Sequence, residues 1–320
     1  MPQAAYHVRR SEVDVSVAPD IPRRKHKVAI MNAVHDLPVL VARDEGFFVD
    51  EGLDLDFVTT PGMGQVTTMH EVTFESVFDR PLDSVYNEGG IDQYRMCEWG
   101  IMKRAVEANT EGRRSRKIVA LGASMSKFAI VVAKDSKIYE PEMLKDKLIS
   151  VTPHNGSHFT MLKMLEGFLE PQHIKTTNAG SMKKRLEALY KGEVAGVVLM
   201  EPWISVAQKN GLRIVIESHS TRSEAASDEV NGPTLAAMFR AQARAVELIE
   251  KDPTPFIHYL VAETGGLLDR KDFQAWRLQH APPQPYTRER FEDTYNWTVK
   301  WNMTVPGATY ENTVDNRAWI

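Results

Sequence analysis

Hydrophobic and polar positions along this chain switch repeatedly between two periods. Lys27–Ala33 (KVAIMNA) is a short apolar run of the kind a buried strand makes. Leu37–Arg43 follows at helical spacing, with Asp36 as its cap, Pro38 in the first turn and Gly46 as its stop. Leu53–Val58 (LDLDFV) alternates apolar and polar residues, which predicts a strand with one solvated face. This makes a βαβ unit. The same texture continues. Leu82–Tyr86 reads as a strand and Ile91–Ala108 as a helix. Lys117–Gly122, Phe128–Ala133 and Leu148–Thr152 read as strands, and Ser157–Leu169 as a helix. Ile174–Asn178 reads as a short strand and Ser181–Tyr190 as a helix capped by Ser181. Val194–Met200 is a strand, Trp203–Gln208 a helix and Leu212–Ile216 a strand. Beyond Pro233 the pattern turns helical: Phe239–Lys251, Pro253–Thr264, Arg270–Gln279 and Arg288–Trp301, punctuated by Asp252-Pro253 and Pro282-Pro283-Gln284-Pro285. Strands alternating with helices predict an α/β fold with mostly parallel sheet.

Composition narrows the class. The chain has 320 residues, 42% of them hydrophobic and 26% charged, with a formal charge of −4. Those values fit a globular protein of about two domains and exclude a disordered, collagenous or coiled-coil chain. No basic excess points to nucleic acid. The single cysteine, Cys97, excludes an internal disulfide framework and any multi-cysteine metal site. It is read as mid-helix and as a small buried hydrophobe, since no adjacent base would activate it. Residues 1–26 read as an N-terminal arm, either a disordered tail or a segment packing on a second copy to make a homodimer. No apolar core follows its basic positions, so no secretory signal and a cytoplasmic location are expected. No run of 18 apolar residues occurs, so no membrane span is expected. Asn296-Trp-Thr and Asn302-Met-Thr match glycosylation sequons by chance in that setting.

Four segments carry more specific information. Val41–Val58 reads VARDEGFFVDEGLDLDFV, Val151–Phe159 reads VTPHNGSHF and Lys191–Trp203 reads KGEVAGVVLMEPW; helices then surround Pro282–Trp301. In this order they resemble the type II periplasmic binding proteins. The likeness is to the branch of alkanesulfonate, taurine and nitrate binders and thiamine-pyrimidine synthases, and it covers roughly residues 27–303. The resemblance implies two α/β lobes around an interdomain ligand cleft, with C-terminal helices. Lobe I would comprise 27–135 and 231–320, and lobe II 136–230, the chain crossing near Ala133–Pro141 and returning near Ser220–Pro233. A hinge would let the lobes close on a ligand.

Ligands of α/β sheets bind beyond the carboxyl ends of strands, and those positions can be read directly. The first strand is followed by Asn32, His35 and Asp36, and the second by Gly62, Met63 and Gly64. The third is followed by Asn87 and Glu88, the second-half loop supplies His154, Asn155, Gly156, Ser157 and His158, and a later strand ends at Glu201 and Trp203. Asn155-Gly156-Ser157 opens a helix whose free N–H groups suit an anion, or Ser157 simply caps it. His35 would donate to an acidic ligand or act as acid–base, or it neighbours a cap. Arg95, on the expected helix, would pair with Glu88 or with a ligand carboxylate or sulfonate. Glu88 is a functional carboxylate or a turn residue. Trp203 is a cleft wall or core. His154 and His158 lack a shared helix face and a wider ligand set, so no metal is expected, and no cofactor is implied.

Two functions follow. One is a binding protein of the ABC-transporter type for a small organic anion, sulfonate-like or an aromatic carboxylate. The other is a cytoplasmic lyase-type enzyme (decarboxylase, desulfinase or dehydratase-like) on the same fold, using His35, Glu88 or His158. The related desulfinase carries its cysteine nucleophile after the first strand. This chain has Ala33-Val34-His35 there, so that mechanism does not carry over, and the synthases' cysteine-rich motif is also absent.

Overall fold

The computed structural model describes residues 25–59, 81–303 and 307–320. Residues 1–24 of the N-terminal arm and the expected ligand residues Gly62, Met63 and Gly64 lie outside them, while His26, at the end of the expected arm, opens the first strand. In chain order the strands are β1 (His26–Ala29), β2 (Leu55–Val58), β3 (Gln93–Cys97), β4 (Lys117–Val132), β5 (Leu148–Ser150), β6 (Lys175–Thr177), β7 (Gly196–Met200), β8 (Arg213–Ala226) and β9 (Gln279–His280). The helices are α1 (Ala33–Asp44), α2 (Phe47–Asp50), α3 (Pro81–Asn87), α4 (Glu98–Glu111), α5 (Gly156–Leu165), α6 (Met182–Tyr190), α7 (Trp203–Lys209), α8 (Gly232–Lys251), α9 (Ile257–Ala262), α10 (Arg288–Lys300) and α11 (Tyr310–Thr313).

Among the described residues the strands form one sheet in the order β2-β1-β3-β8-β4-β7-β5-β6, with β9 beside β4. The outer strands pair in parallel, whereas β4 and β8 run antiparallel along nearly their whole length. The chain passes from one half of the sheet to the other along β4 and returns along β8. The sheet is therefore mixed, with an antiparallel centre. One buried apolar cluster draws on both halves, joining Val28, Leu37 and Val41 to Leu186, Val197 and Ile204.

Several elements differ from the sequence expectation for identifiable reasons. Leu82–Tyr86 is helical: Leu82, Val85 and Tyr86 fall on one face behind Pro81, which starts α3. The helix expected over Ile91–Ala108 divides into β3 and α4. Every residue of β3 is buried, so Gln93 and Arg95 are paired interior groups rather than a solvated helix face. Cys97 consequently stands at the N-cap of α4, not in mid-helix. The strands expected at Lys117–Gly122 and Phe128–Ala133 are one strand, whose polar middle is absorbed by register shifts against β8. The strand from Lys27 stops at Ala29 because α1 begins at Ala33, where Asn32 is the cap and Asp36 sits in the first turn. Asn155 rather than Ser157 caps α5. Arg270–Gln279 holds two 3-10 turns and β9 in place of an α-helix.

Candidate functional site

The site is assembled where β1, β5, β7 and β8 end or bend toward one another. Asn32 fixes one wall. Its Oδ1 accepts the backbone N–H of His35 at 3.0 Å, which leaves its amide N–H₂ to donate to His35 Nδ1 at 2.8 Å. His35 Nδ1 is thus an acceptor and the ring proton lies on Nε2. That Nε2 is shielded from water and, among the described residues, has no hydrogen-bond partner. Burial, reinforced by the guanidinium charges of Arg222 and Arg95, holds the imidazole neutral, its pKa well below the usual histidine value.

Behind this wall runs a buried polar chain. Asp36 Oδ2 accepts the N–H groups of Met31 (2.6 Å) and Asn32 (3.0 Å), while Oδ1 accepts from Arg95 Nη1 at 2.6 Å. Arg95 Nε donates to Glu224 at 2.8 Å, and Gln93 donates to the other oxygen of Glu224 at 2.8 Å. Asp36 and Glu224 compensate Arg95, which is 1% exposed, but its Nη2 has no partner among the described residues. Removing one partner of a buried pair like this leaves an uncompensated charge and costs about 3–5 kcal/mol. The chain therefore holds the N-terminus of α1, and with it His35, in place.

The opposite wall is the loop from β5 into α5. His154 takes φ = 52°, a left-handed conformation rarely adopted by residues with a side chain. This turns the chain so that Asn155 caps α5, and the His154 backbone N–H donates to His158 Nδ1 at 3.1 Å. Ser157 Oγ accepts the Thr152 N–H at 3.2 Å. Burial lowers the His158 pKa to about 4, helped by His154. Gly156 permits a close approach here: a Cβ would stand 3.1 Å from Arg222 Nη1, and the guanidinium would have to give way.

Arg222, on β8, is the central group. It is 3% exposed, its Nε donates to Ser126 Oγ at 3.2 Å, and its guanidinium carbon lies 5.6 Å from the centre of the Phe128 ring. Among the described residues no carboxylate comes within salt-bridge distance of it; Asp36 and Glu98 reach it only through their field. Burial pulls its pKa below the ordinary arginine value. A desolvated cation with a single hydroxyl partner among the described residues keeps most of its desolvation cost, which an anion within reach would offset.

Two connected hollows open at these groups. The larger, about 570 Å³, is walled by apolar side chains (Met31, Phe128, Met182, Met200, Trp203) and by Thr152, Asn155, Ser157, Arg185 and Glu263. An inner chamber of about 50 Å³ shares Met31, Asn32, His35, Asn155 and Arg222 with it, and adds Arg95, Cys97, Arg104 and His154. An apolar hollow with a few convergent polar groups is the usual form of a small-molecule site. Among the described residues no group of three or more His, Cys, Asp or Glu is arranged to hold a metal ion.

The expected residues separate accordingly. Asn32, His35, Arg95, His154, Asn155, Ser157 and Trp203 line one or both hollows, and Gly156 packs against Arg222. Arg95 does so from a strand, not a helix. His158 is buried beside the loop without lining either hollow, tilted against Phe159. Asn87 and Glu88 are corrections. They are exposed at the C-terminal end of α3, which is a helix, so no strand end delivers them to the cleft, and Asn87 instead accepts from Arg116. Glu201 is also a correction: it is buried behind α7, where its carboxylate accepts the Ser205 N–H at 3.2 Å and lies 3.4 Å from Arg277. Sequence reasoning missed Arg222, Arg185, Phe128 and Glu263.

No protein-family model matches the chain, and a search of curated proteins finds no match. Solved structures do match. The alkanesulfonate-binding protein SsuA of Xanthomonas axonopodis pv. citri, bound to MOPS, superposes with a TM-score of 0.67 at 16% identity, over 91% of this chain and 98% of that one. The periplasmic aliphatic sulphonate binding protein SsuA of Escherichia coli gives 0.69 at 15% identity, over 94% and 93%. The chain has the fold of the type II periplasmic binding proteins. The same fold carries the desulfurization enzyme DSZB, similar to this chain with a TM-score of 0.59 at 14% identity, over 90% and 95%. The hollows described above lie beside the segments that follow β1 and β5, which supply Asn32, His35, Thr152 and Asn155. Among the described residues no helix is long and apolar enough to cross a membrane.

Proposed function

We propose that this chain binds a small organic acid in the cleft, with the acid group in the inner chamber and the organic part in the larger hollow. Arg222 carries the reading, as a buried guanidinium facing both hollows with no carboxylate partner among the described residues. The Nε2–H of His35 and the spare Nη2 of Arg95 add two donors to the same chamber. Three donors around so small a volume suit a carboxylate or sulfonate, while Phe128, Met200 and Trp203 suit an apolar body. That the sulfonate binders share the fold agrees with this.

Calorimetric titration with a panel of alkyl and aryl carboxylates and sulfonates tests it. Arg222→Met should weaken any binder about 10- to 100-fold, the worth of a charged hydrogen bond. Unchanged affinity in that variant sinks the proposal.

One observation favours a second reading, an enzyme on the same class of acid. Cys97 borders the inner chamber with His35 and Arg222, so a nucleophile and a proton donor face the place proposed for the acid group. Among the expected catalytic residues only His35 lines the chamber; Glu88 and His158 do not. Turnover that disappears in Cys97→Ser while binding persists would decide for it.

A further inference from the structure

The larger hollow holds a second buried cation that the binding of one acid group leaves unused. Arg185, on α6, is 1% exposed. Its Nε donates to Gly180 O at 3.2 Å, Nη1 to Val198 O at 2.7 Å and to Met182 Sδ at 3.7 Å, and Nη2 to Thr152 Oγ1. Four of its five N–H groups are therefore engaged, all by neutral acceptors. Among the described residues no carboxylate is in salt-bridge contact with it. Burial alone lowers its pKa, to about 9. A guanidinium buried among neutral acceptors keeps most of its desolvation cost, which an arriving anion would offset.

The surroundings of Arg185 reinforce the sign. Gly180, Ser181, Met182 and Lys183, at the N-terminal end of the nine-residue α6, line the same hollow, so a helix N-terminus and a lysine add positive potential there. Arg222 borders the inner chamber and Arg185 does not. The two cations contact different residues of the 152–157 loop: Thr152 accepts from Arg185, while Gly156 packs on Arg222. Glu263 is the one carboxylate lining the hollow among the described residues, and it is spent on the backbone N–H of Ala33.

We infer that the cleft is built for a diacid, an organic molecule with one acid group at Arg222 and a second at Arg185, joined by a short apolar spacer along Phe128 and Met200. This rests on the proposed acid-binding function and specifies its ligand class.

The test is calorimetric titration of the full chain with straight-chain α,ω-dicarboxylates from succinate to adipate, each against the monocarboxylate of equal carbon number. At least one diacid should bind about 30-fold more tightly than its monoacid, the scale of one further charged contact. Arg185→Met should bring that diacid down to the affinity of the monoacid and leave the monoacid unchanged, whereas Arg222→Met weakens both. If Arg185→Met does not fold, the wild-type protein still answers: affinity for the diacid should fall about twice as steeply with ionic strength as affinity for the monoacid. Equal binding and equal salt dependence of the two acids, with Arg222→Met still damaging, overturns the diacid and leaves acid binding intact. Monoacid affinity lost equally in both arginine variants also overturns it, since both cations would then grip one group. Binding of no acid at all overturns both readings.

Discussion

At the scale of single residues, the cleft is governed by which buried charges are matched. Arg95 is matched twice, by Asp36 and Glu224, while Arg222 and Arg185 are held by neutral groups. Glu263 works against them. It lines the hollow although the residue as a whole is exposed, and its carboxylate accepts the Ala33 N–H. Burial raises its pKa to about 7, with the Asp36 charge contributing. The sign follows: above that value Glu263 is an anion in the path of an anionic ligand, and below it the repulsion is gone. Affinity for a bound carboxylate should therefore fall as pH rises from 6 to 8. Glu263→Gln should flatten that profile and bind several-fold more tightly at pH 8, about 1 kcal/mol for one screened charge. Titration of both proteins across the range checks it, and parallel profiles would discard this role. His35 stays neutral throughout the range because burial holds its pKa far lower.

At the scale of elements, a single glycine sets how closely α5 approaches β8. Gly156→Ala would place its methyl against the far end of Arg222, a flexible group, not against backbone. The melting temperature should hold to within about 2 °C while acid affinity drops about five- to tenfold, because the guanidinium is displaced rather than the fold. A large loss of melting temperature would refute that account. The elements also show what sequence could and could not reveal. Apolar runs and caps were legible where burial follows hydrophobicity, as at Ser181, whose side chain accepts the Lys184 N–H. β3 and the second half of β8 were not, because their inward residues are Gln93, Arg95, Arg222 and Glu224, which carry no hydrophobic period. Arg222 was hidden for that reason, inside a stretch (ESHSTRSEAA) that reads as a polar connection. The alternation of Ser218, Ser220, Arg222 and Glu224 was its only trace. Arg185 was hidden by Lys183 and Lys184, which make it look like one more solvated cation. The 152–157 loop was legible because Gly, Ser and Asn before a helix report backbone geometry directly.

At the scale of the whole molecule, β4 and β8 belong to both halves of the sheet, and one of the buried apolar clusters draws on both. Residues 136–230, expected from sequence to form a lobe, omit β4 entirely and with it the partner of β7 and β8. Expressed alone, this segment should show poor amide dispersion by NMR and no cooperative melt, since its sheet would present two open edges. A sharp transition in the isolated segment would show instead that it is autonomous. The β4–β8 ribbon also carries Ser126, Phe128 and Arg222, so the strands that join the two halves also border the hollows. Occupancy of the cleft and persistence of the folded chain are then one equilibrium seen from two sides. Ligand that favours the folded form withdraws chain from the opened, protease-sensitive population. On the proposed binding role, the fraction of chain that survives a protease challenge would record how much ligand surrounds it.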